Sequence, residues 1–106
     1  MARRLVQLMH ADDNVAIALS DLEPGTLVQV ERLLPAGQSA EHVTVTMTIP
    51  FGHKVALRPI RSGEAVLKYG EAIGLASVEI AAGEHVHVHN VDSQRGRGDL
   101  AASQQK

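Results

Sequence analysis

The chain has 106 residues, enough for one domain with a modest core, and 44% of them are hydrophobic, which excludes a disordered chain. Only 2% are aromatic and none is cysteine, so the core must be aliphatic, and disulfides, thiolate nucleophiles and cysteine-based metal centres are excluded. A formal net charge of −2, with Phe51 and Tyr69 as the lone aromatic rings of Phe, Tyr or Trp type, excludes both the electrostatic pull and the stacking platform of a nucleic-acid binder.

The basic start MARRLVQLMHADD lacks the apolar run of a signal peptide, and no stretch approaches bilayer-spanning length; a cytoplasmic domain without membrane contact is expected. Val6–Met9 reads as an opening strand and His10–Asn14 as a turn, because Asp and Asn bond their own backbone and tolerate unusual dihedrals. Asn14–Leu19 alternates, with Val15, Ile17 and Leu19 on one face and the small Ala16 and Ala18 on the other. A turn at Asp21–Gly25 leads into a strand at Leu27–Arg32, broken over Leu34–Ala40 by Pro35 and Gly37. The period-2 pattern is strongest over His42–Ile49: Val43, Val45, Met47 and Ile49 share one face, and Thr44, Thr46 and Thr48 share a solvated or cross-strand-bonded one.

After Pro50–Gly52, extended pieces are expected at His53–Leu57 and Ala65–Tyr69, with a turn at Arg61–Glu64 between them. Ala72–Ala76 and Val78–Ile80 suit strand or a brief helical turn, and Gly74 argues against a long helix. Leu22–Gly25, Ile60–Gly63 and Ile80–Gly83 each place an apolar residue three positions before a glycine and lead into a strand, a punctuation that falls short of a repeat architecture. Gly, Ser and Gln dominate after Asp92. The expected organisation is one domain over residues 1–92 and a flexible polar tail over 93–106, the domain being an all-β barrel or sandwich of short strands.

The stretch richest in chemistry is Gly83–Val91, GEHVHVHNV. Read as an extended strand, it puts His85, His87 and His89 on one face and Val86 and Val88 on the other. Successive imidazoles are then about 7 Å apart at Cα, close enough for two rings to meet on one metal ion or anion. The plainer alternative is an exposed strand with a histidine-rich outer face. Lys54, Arg58, Arg61 and Lys68, with Glu64 among them and His53 beside them, read either as a basic patch for a carboxylate or sulfonate or as a solvated face. His10, Asp12 and Asp13 offer nitrogen and oxygen donors to a divalent metal, although Asp-rich turns also form for local reasons. P-loop, nucleophile-elbow and dinucleotide fingerprints are absent.

From Ile49 to Val91, IPFGHKVALRPIRSGEAVLKYGEAIGLASVEIAAGEHVHVHNV resembles the amino-terminal SAF-type module of the altronate and galactarate dehydratase family, and HADDNVAIAL (His10–Leu19) resembles that family's His-x-x-Asp-Asn-Val element. The likeness covers positions 10 to 91 and keeps GHKVAL, GE, KYG, IG and GEHVHxHN in order; Leu33–Val45 is less family-like. The resemblance implies a β-clip fold, a small SAF-type barrel like the modules of sialic acid synthases and type III antifreeze proteins. It also implies an accessory role. In fused members the module precedes a large catalytic region, and the pair removes water from a sugar acid with a divalent metal, typically iron(II). The chain likewise resembles the separately encoded small subunit of relatives such as sulfolactate sulfo-lyase.

A protein of that kind is expected to be inactive alone. Its partners would be a large catalytic subunit of the same enzyme, which holds the metal jointly with it, and a small anionic sugar acid or sulfonated hydroxy acid; a homo-oligomer is compatible. By the same resemblance His53, Lys54, Lys68 and Asn90 are expected at the substrate, and His10, Asp13, His87 and His89 at the metal, with Asn14 and Tyr69 as neighbours. His42 and His85 are assigned to the surface or to structural bonds. The alternative is a free-standing SAF module that binds a sugar acid or a protein without catalysis. A self-sufficient enzyme fits least, because so small a domain offers little room for a water-excluding cleft.

Overall fold

The computed structural model describes residues 4–34 and 37–93. These residues form β1 (Val6–Gln7), β2 (Val15–Ala18), β3 (Leu27–Leu34), β4 (Gly37–Thr44), β5 (Lys54–Ala56), β6 (Ala65–Lys68), β7 (Glu71–Ala76), β8 (His85–Val86) and β9 (Val91–Ser93). The strands pair antiparallel in a four-stranded sheet of order β1-β2-β5-β8, a β3-β4 hairpin and a three-stranded sheet of order β6-β7-β9. The all-β class expected from the sequence is present. The barrel is not: among the described residues no sheet closes on itself. Closure requires the two edge strands of a sheet to meet. Here the edges of the largest sheet are β1 and β8, two residues each, and its ladder ends with them. The tail expected over 93–106 lies outside the described residues beyond Ser93; the break expected over Leu34–Ala40 is shorter than that, since β3 runs to Leu34 and β4 begins at Gly37, with residues 35–36 outside the described residues.

One turn, used four times, ties the sheets together. Residues 23–26, 50–53, 61–64 and 81–84 each close with a backbone bond from the fourth N–H to the first carbonyl, and each carries a glycine with positive φ in third place. That is the pattern of a type II turn. The residue just before each turn meets its counterpart before another: Leu22 with Ile49 and Ile60 with Ile80, each pair exchanging two N–H···O bonds of 2.8 Å. The glycine amides then cross over as well, Gly25 to Val45 O, Gly52 to Ala18 O, Gly63 to Ala76 O and Gly83 to Ala56 O. One bonding scheme is thus used twice. Leu22, Ile49, Ile60 and Ile80 are all fully buried, so the polar crossings and the core are fixed together.

The core consists of two aliphatic clusters that share β2 and β5. Ala16, Ala18, Val55 and Leu57 belong to one, with Val28, Val30, Val43 and Val45; Val15 and Ala56 belong to the other, with Val66, Ile80 and Val86. Both faces of the central ladder are therefore covered: Ala16 and Ala18, on the face opposite Val15, are fully buried, while Leu19 is 36% exposed. Small side chains there let the second layer close against the strand.

Two expected strands end early. β4 stops at Thr44, after which Val45 N–H bonds Thr26 O, Thr46 N–H bonds Gly83 O and Ile49 N–H bonds Leu22 O, so the segment changes partner too often for a ladder to continue. Its alternation survives in Val43, Val45 and Ile49, which are buried, but Met47 is 38% exposed. The histidine stretch is strand only over β8; residues 87–90 turn back, closed by Asn90 N–H to His87 O. Val86 is accordingly buried and Val88 is 81% exposed. Ala72–Ala76 lies within strand β7, where a Cβ on Gly74 would collide with the Asp92 carbonyl of β9.

The turns can be tested by adding one methyl group. At Gly25 (φ +92°) nothing lies within 4 Å of the new Cβ, so Gly25→Ala should cost about 1–2 kcal/mol of left-handed strain alone. At Gly83 (φ +88°) the Cβ would run into Thr44 O, and Gly83→Ala should lower stability by about 1–3 kcal/mol more. Urea denaturation of the two variants should separate them by that difference.

Candidate functional site

β5 and β8 run antiparallel with Lys54 opposite Val86 and Val55 opposite His85. Carried one residue further, this register sets His53 against His87, and their rings stack with centroids 4.1 Å apart. His85 joins them from the same strand: its Nε2 lies 2.8 Å from His53 Nδ1, and its ring is 5.5 Å from that of His87. One ligand atom from each of His53, His85 and His87 falls within 4.8 Å of the others, and all three side chains are half-buried. This cluster has the donors and the spacing to coordinate a metal ion. His89 extends it on the exposed side, its ring 5.1 Å from that of His85.

Burial and crowding disfavour a proton on two of these rings. Partial burial, then His53, His89, His87 and Lys54, push His85 down to about 4 from the ordinary 6.5. His87 is lowered as well, by desolvation first and then by His53, Lys54 and His89. Neutral imidazole is the form that binds metal. Lys54 projects from the other face of β5 by strand alternation, yet its charge is felt by His85 and His87. Burial, and then Lys68, lower its own pKa. Lys68 in turn rests over the Tyr69 ring, with Nζ 5.3 Å from the centroid.

Residues 4–94 match the altronate/galactarate dehydratase SAF domain. The chain belongs to this family. It is 48% identical over 82 residues to the altronate dehydratase of Escherichia coli (strain K12) and 45% identical over 82 residues to that of Bacillus subtilis (strain 168), in each case over 77% of this chain and 15% of the relative. The chain thus spans about 15% of the length of those altronate dehydratases. It is also 43% identical over 53 residues to the (2R)-sulfolactate sulfo-lyase subunit alpha of Paracoccus pantotrophus, across 50% of this chain and 79% of that subunit.

In this SAF domain the remaining expected site residues are spread over other places. The carboxylate of Asp13 is fully buried and accepts the amides of Tyr69 (3.0 Å) and Gly70 (2.8 Å). Both of those residues have positive φ, so Asp13 holds a tight, left-handed β6–β7 turn in place. Asn14 bonds Ala65 O and Leu67 N, on either side of the irregularity between Val66 and Leu67, and so satisfies backbone groups that the bulge leaves unpaired. His10 packs its ring against Gly70 and accepts the Asp12 amide at Nδ1. The His-x-x-Asp-Asn element therefore clamps the start of β2 onto the β6–β7 hairpin. Neither His10 nor Asp13 is in the imidazole cluster.

Asn90, expected at the substrate, is buried; it accepts His87 N–H and donates to His85 O, which fixes the turn that presents His87. Arg58 faces acids: it lies 3.8 Å from Glu41 and lines a groove of about 340 Å³ with Asp12, Asn14, Pro59, Glu64, Ala65 and Leu67. His42 is exposed, as expected. His85, expected at the surface or in structural bonds, bonds His53 and is one of the three rings of the cluster; its alternation with His87 was the available signal.

Two outcomes are expected. Asp13→Ala removes the buried acceptor of two turn amides and should cost about 2 kcal/mol in urea denaturation while leaving the imidazole cluster's ring signals in place. Stability should also depend on pH through His85. The folded state binds fewer protons there than the unfolded chain between pH 6.5 and about 4, so the contribution is whole above 6.5 and is lost as pH falls toward 4. Urea midpoints of His85→Gln across that window should show a shallower decline than those of the parent.

Proposed function

We propose that this SAF domain is an accessory module of a hydroxy-acid lyase, lending the His53–His85–His87 cluster and Lys54 to a site that a large catalytic polypeptide completes. Family membership supports the reading. The single observation that carries it is the convergence of three half-buried imidazoles, two of which feel the charge of Lys54, a lysine whose own charge is disfavoured by burial and by Lys68. Such a lysine gains from an anion, and a substrate carboxylate supplies one.

The relatives are named for loss of water from altronate and for cleavage of sulfolactate. Both chemistries fit one elimination. A base takes the proton from the carbon next to the carboxylate, and that C–H electron pair becomes the new C=C bond. The neighbouring C–O or C–S bond breaks, and its pair leaves with hydroxide or sulfite. Lys54 would hold the carboxylate, and Lys68 would add to the positive field. A divalent metal of the iron(II) type would be held by His53, His85 and His87 and would supply Lewis acidity. The proton acceptor is assigned to the partner polypeptide, so the module alone is inactive.

Reconstitution with the large polypeptide tests this. His87→Ala and Lys54→Met should each lower kcat/KM for a sugar acid or a sulfonated hydroxy acid by about 100-fold, and His42→Ala should leave it unchanged. Undiminished turnover in both of the first two variants would remove the cluster from the reaction. Calorimetric binding of a sugar acid to the isolated chain, with no large partner found by co-purification, would replace the reading with a free-standing binding module.

A further inference from the structure

We infer that this chain by itself, with no catalytic partner, binds one divalent d-block cation through His53, His85 and His87. The inference goes beyond the accessory role just proposed, because it assigns the whole protein ligand set to one polypeptide and stands whether or not a lyase partner exists.

The geometry is close to what such an ion needs. Imidazole nitrogens bind zinc-like ions at about 2.0–2.1 Å, so any two ligands of one ion lie within about 4.2 Å of each other. The three donor atoms already lie within 4.8 Å, and the closest nitrogens, His53 Nδ1 and His85 Nε2, are 2.8 Å apart. Three such nitrogens round one ion lie about 3.3–3.6 Å apart, so a rotation of the rings that moves their nitrogens by about 1 Å, opening the His53–His85 pair and closing the wider ones, brings all three onto a common centre.

The scaffold around the rings is built to hold them. His53 closes one type II turn just ahead of β5, and His85 opens β8 directly after another. His87 is fixed through its own N–H, which donates to the buried Asn90 carboxamide, and the same carboxamide donates to His85 O. The ligands' backbones are therefore set before any ion arrives. His89 lies beside His85 as a neighbouring ring on the exposed side.

Donor chemistry narrows the ion. Three nitrogen donors, with no carboxylate in the group, suit zinc, cobalt(II), nickel or iron(II) and not calcium or magnesium, which demand oxygen. An ion held by three neutral rings keeps its full positive charge and leaves positions for an outside anion. Lys54 and Lys68 add to that field.

The experiment is a cobalt(II) titration of the untagged full-length chain, followed by its visible absorption, with zinc calorimetry in parallel. One equivalent of cobalt should produce ligand-field bands of imidazole coordination, and zinc should displace it. His53→Ala and His87→Ala should each weaken binding by at least about 10-fold, whereas His42→Ala should not. As a control on folding, zinc added to the parent should shift the ring signals of His53, His85 and His87 in an NMR spectrum and leave that of His42 in place. Absence of cobalt bands at stoichiometric concentration, or bands equally strong in the His53 and His87 variants, overturns the inference. Binding that appears only when a large catalytic polypeptide is present overturns it too, while leaving the accessory role standing.

Discussion

The paired exchange of backbone bonds between Leu22 and Ile49, and again between Ile60 and Ile80, is the constraint on which this molecule depends. Ladders of two to four residues are weak on their own. Here two points, at each of which two amides, two carbonyls and two buried aliphatic side chains lock together, tie them down, with glycine amides from the following turns reaching to Ala18 of β2, Ala56 of β5 and Ala76 of β7. The crossings also decide where chemistry can sit. The turn over residues 50–53 ends on His53, and the turn over 81–84 ends one residue before His85, so two separate crossings deliver the two rings that face each other across β5 and β8.

Crowded imidazoles are electrostatically self-limiting. A proton on any one of them raises the cost of a proton on the next, and the nearby Lys54 raises it further. His85 and His87 are thereby biased toward the neutral form, and the group they share with His53 contains no carboxylate. The crowding that lowers the proton affinity of His85 and His87 is also what brings their ring nitrogens within reach of one another.

Much of this was legible in the residues. Gly, Pro, Asp and Asn marked nearly every turn, and alternation identified the buried valines of the β4 region even where the ladder itself breaks off. The motifs HADDN, GHK and GEHVHxHN pointed to the family, which the match over residues 4–94 shows. The closed barrel was not borne out, since pattern reports which residues face inward but not whether two edge strands meet. Period-2 spacing also overstated the histidine strand. The side chain that ends it is Asn90, whose bonds to His85 and His87 are a local capping event that a valine–histidine alternation does not reveal. Asp13 was harder still. Beside His10 in a turn it has the look of a ligand, and only its bonds to amides 56 and 57 residues away show it holding backbone.

The four type II turns differ at their last position in a way that bears on how this domain can change. Glu64 and Glu84 each turn back to accept the amide that opens their own turn, from Arg61 and Ala81, and Thr26 bonds the opening carbonyl of Glu23. The corresponding residue of the remaining turn is His53, which looks outward to His85. Its turn opens with Pro50, which has no N–H to be accepted. Proline thus relieves position 53 of a housekeeping duty that two of its siblings perform, and it sets the local φ at the same time. One corner of an otherwise repetitive scaffold is left free to vary its side chain without unmaking the bend beneath it, and that vacancy is where the imidazole stands.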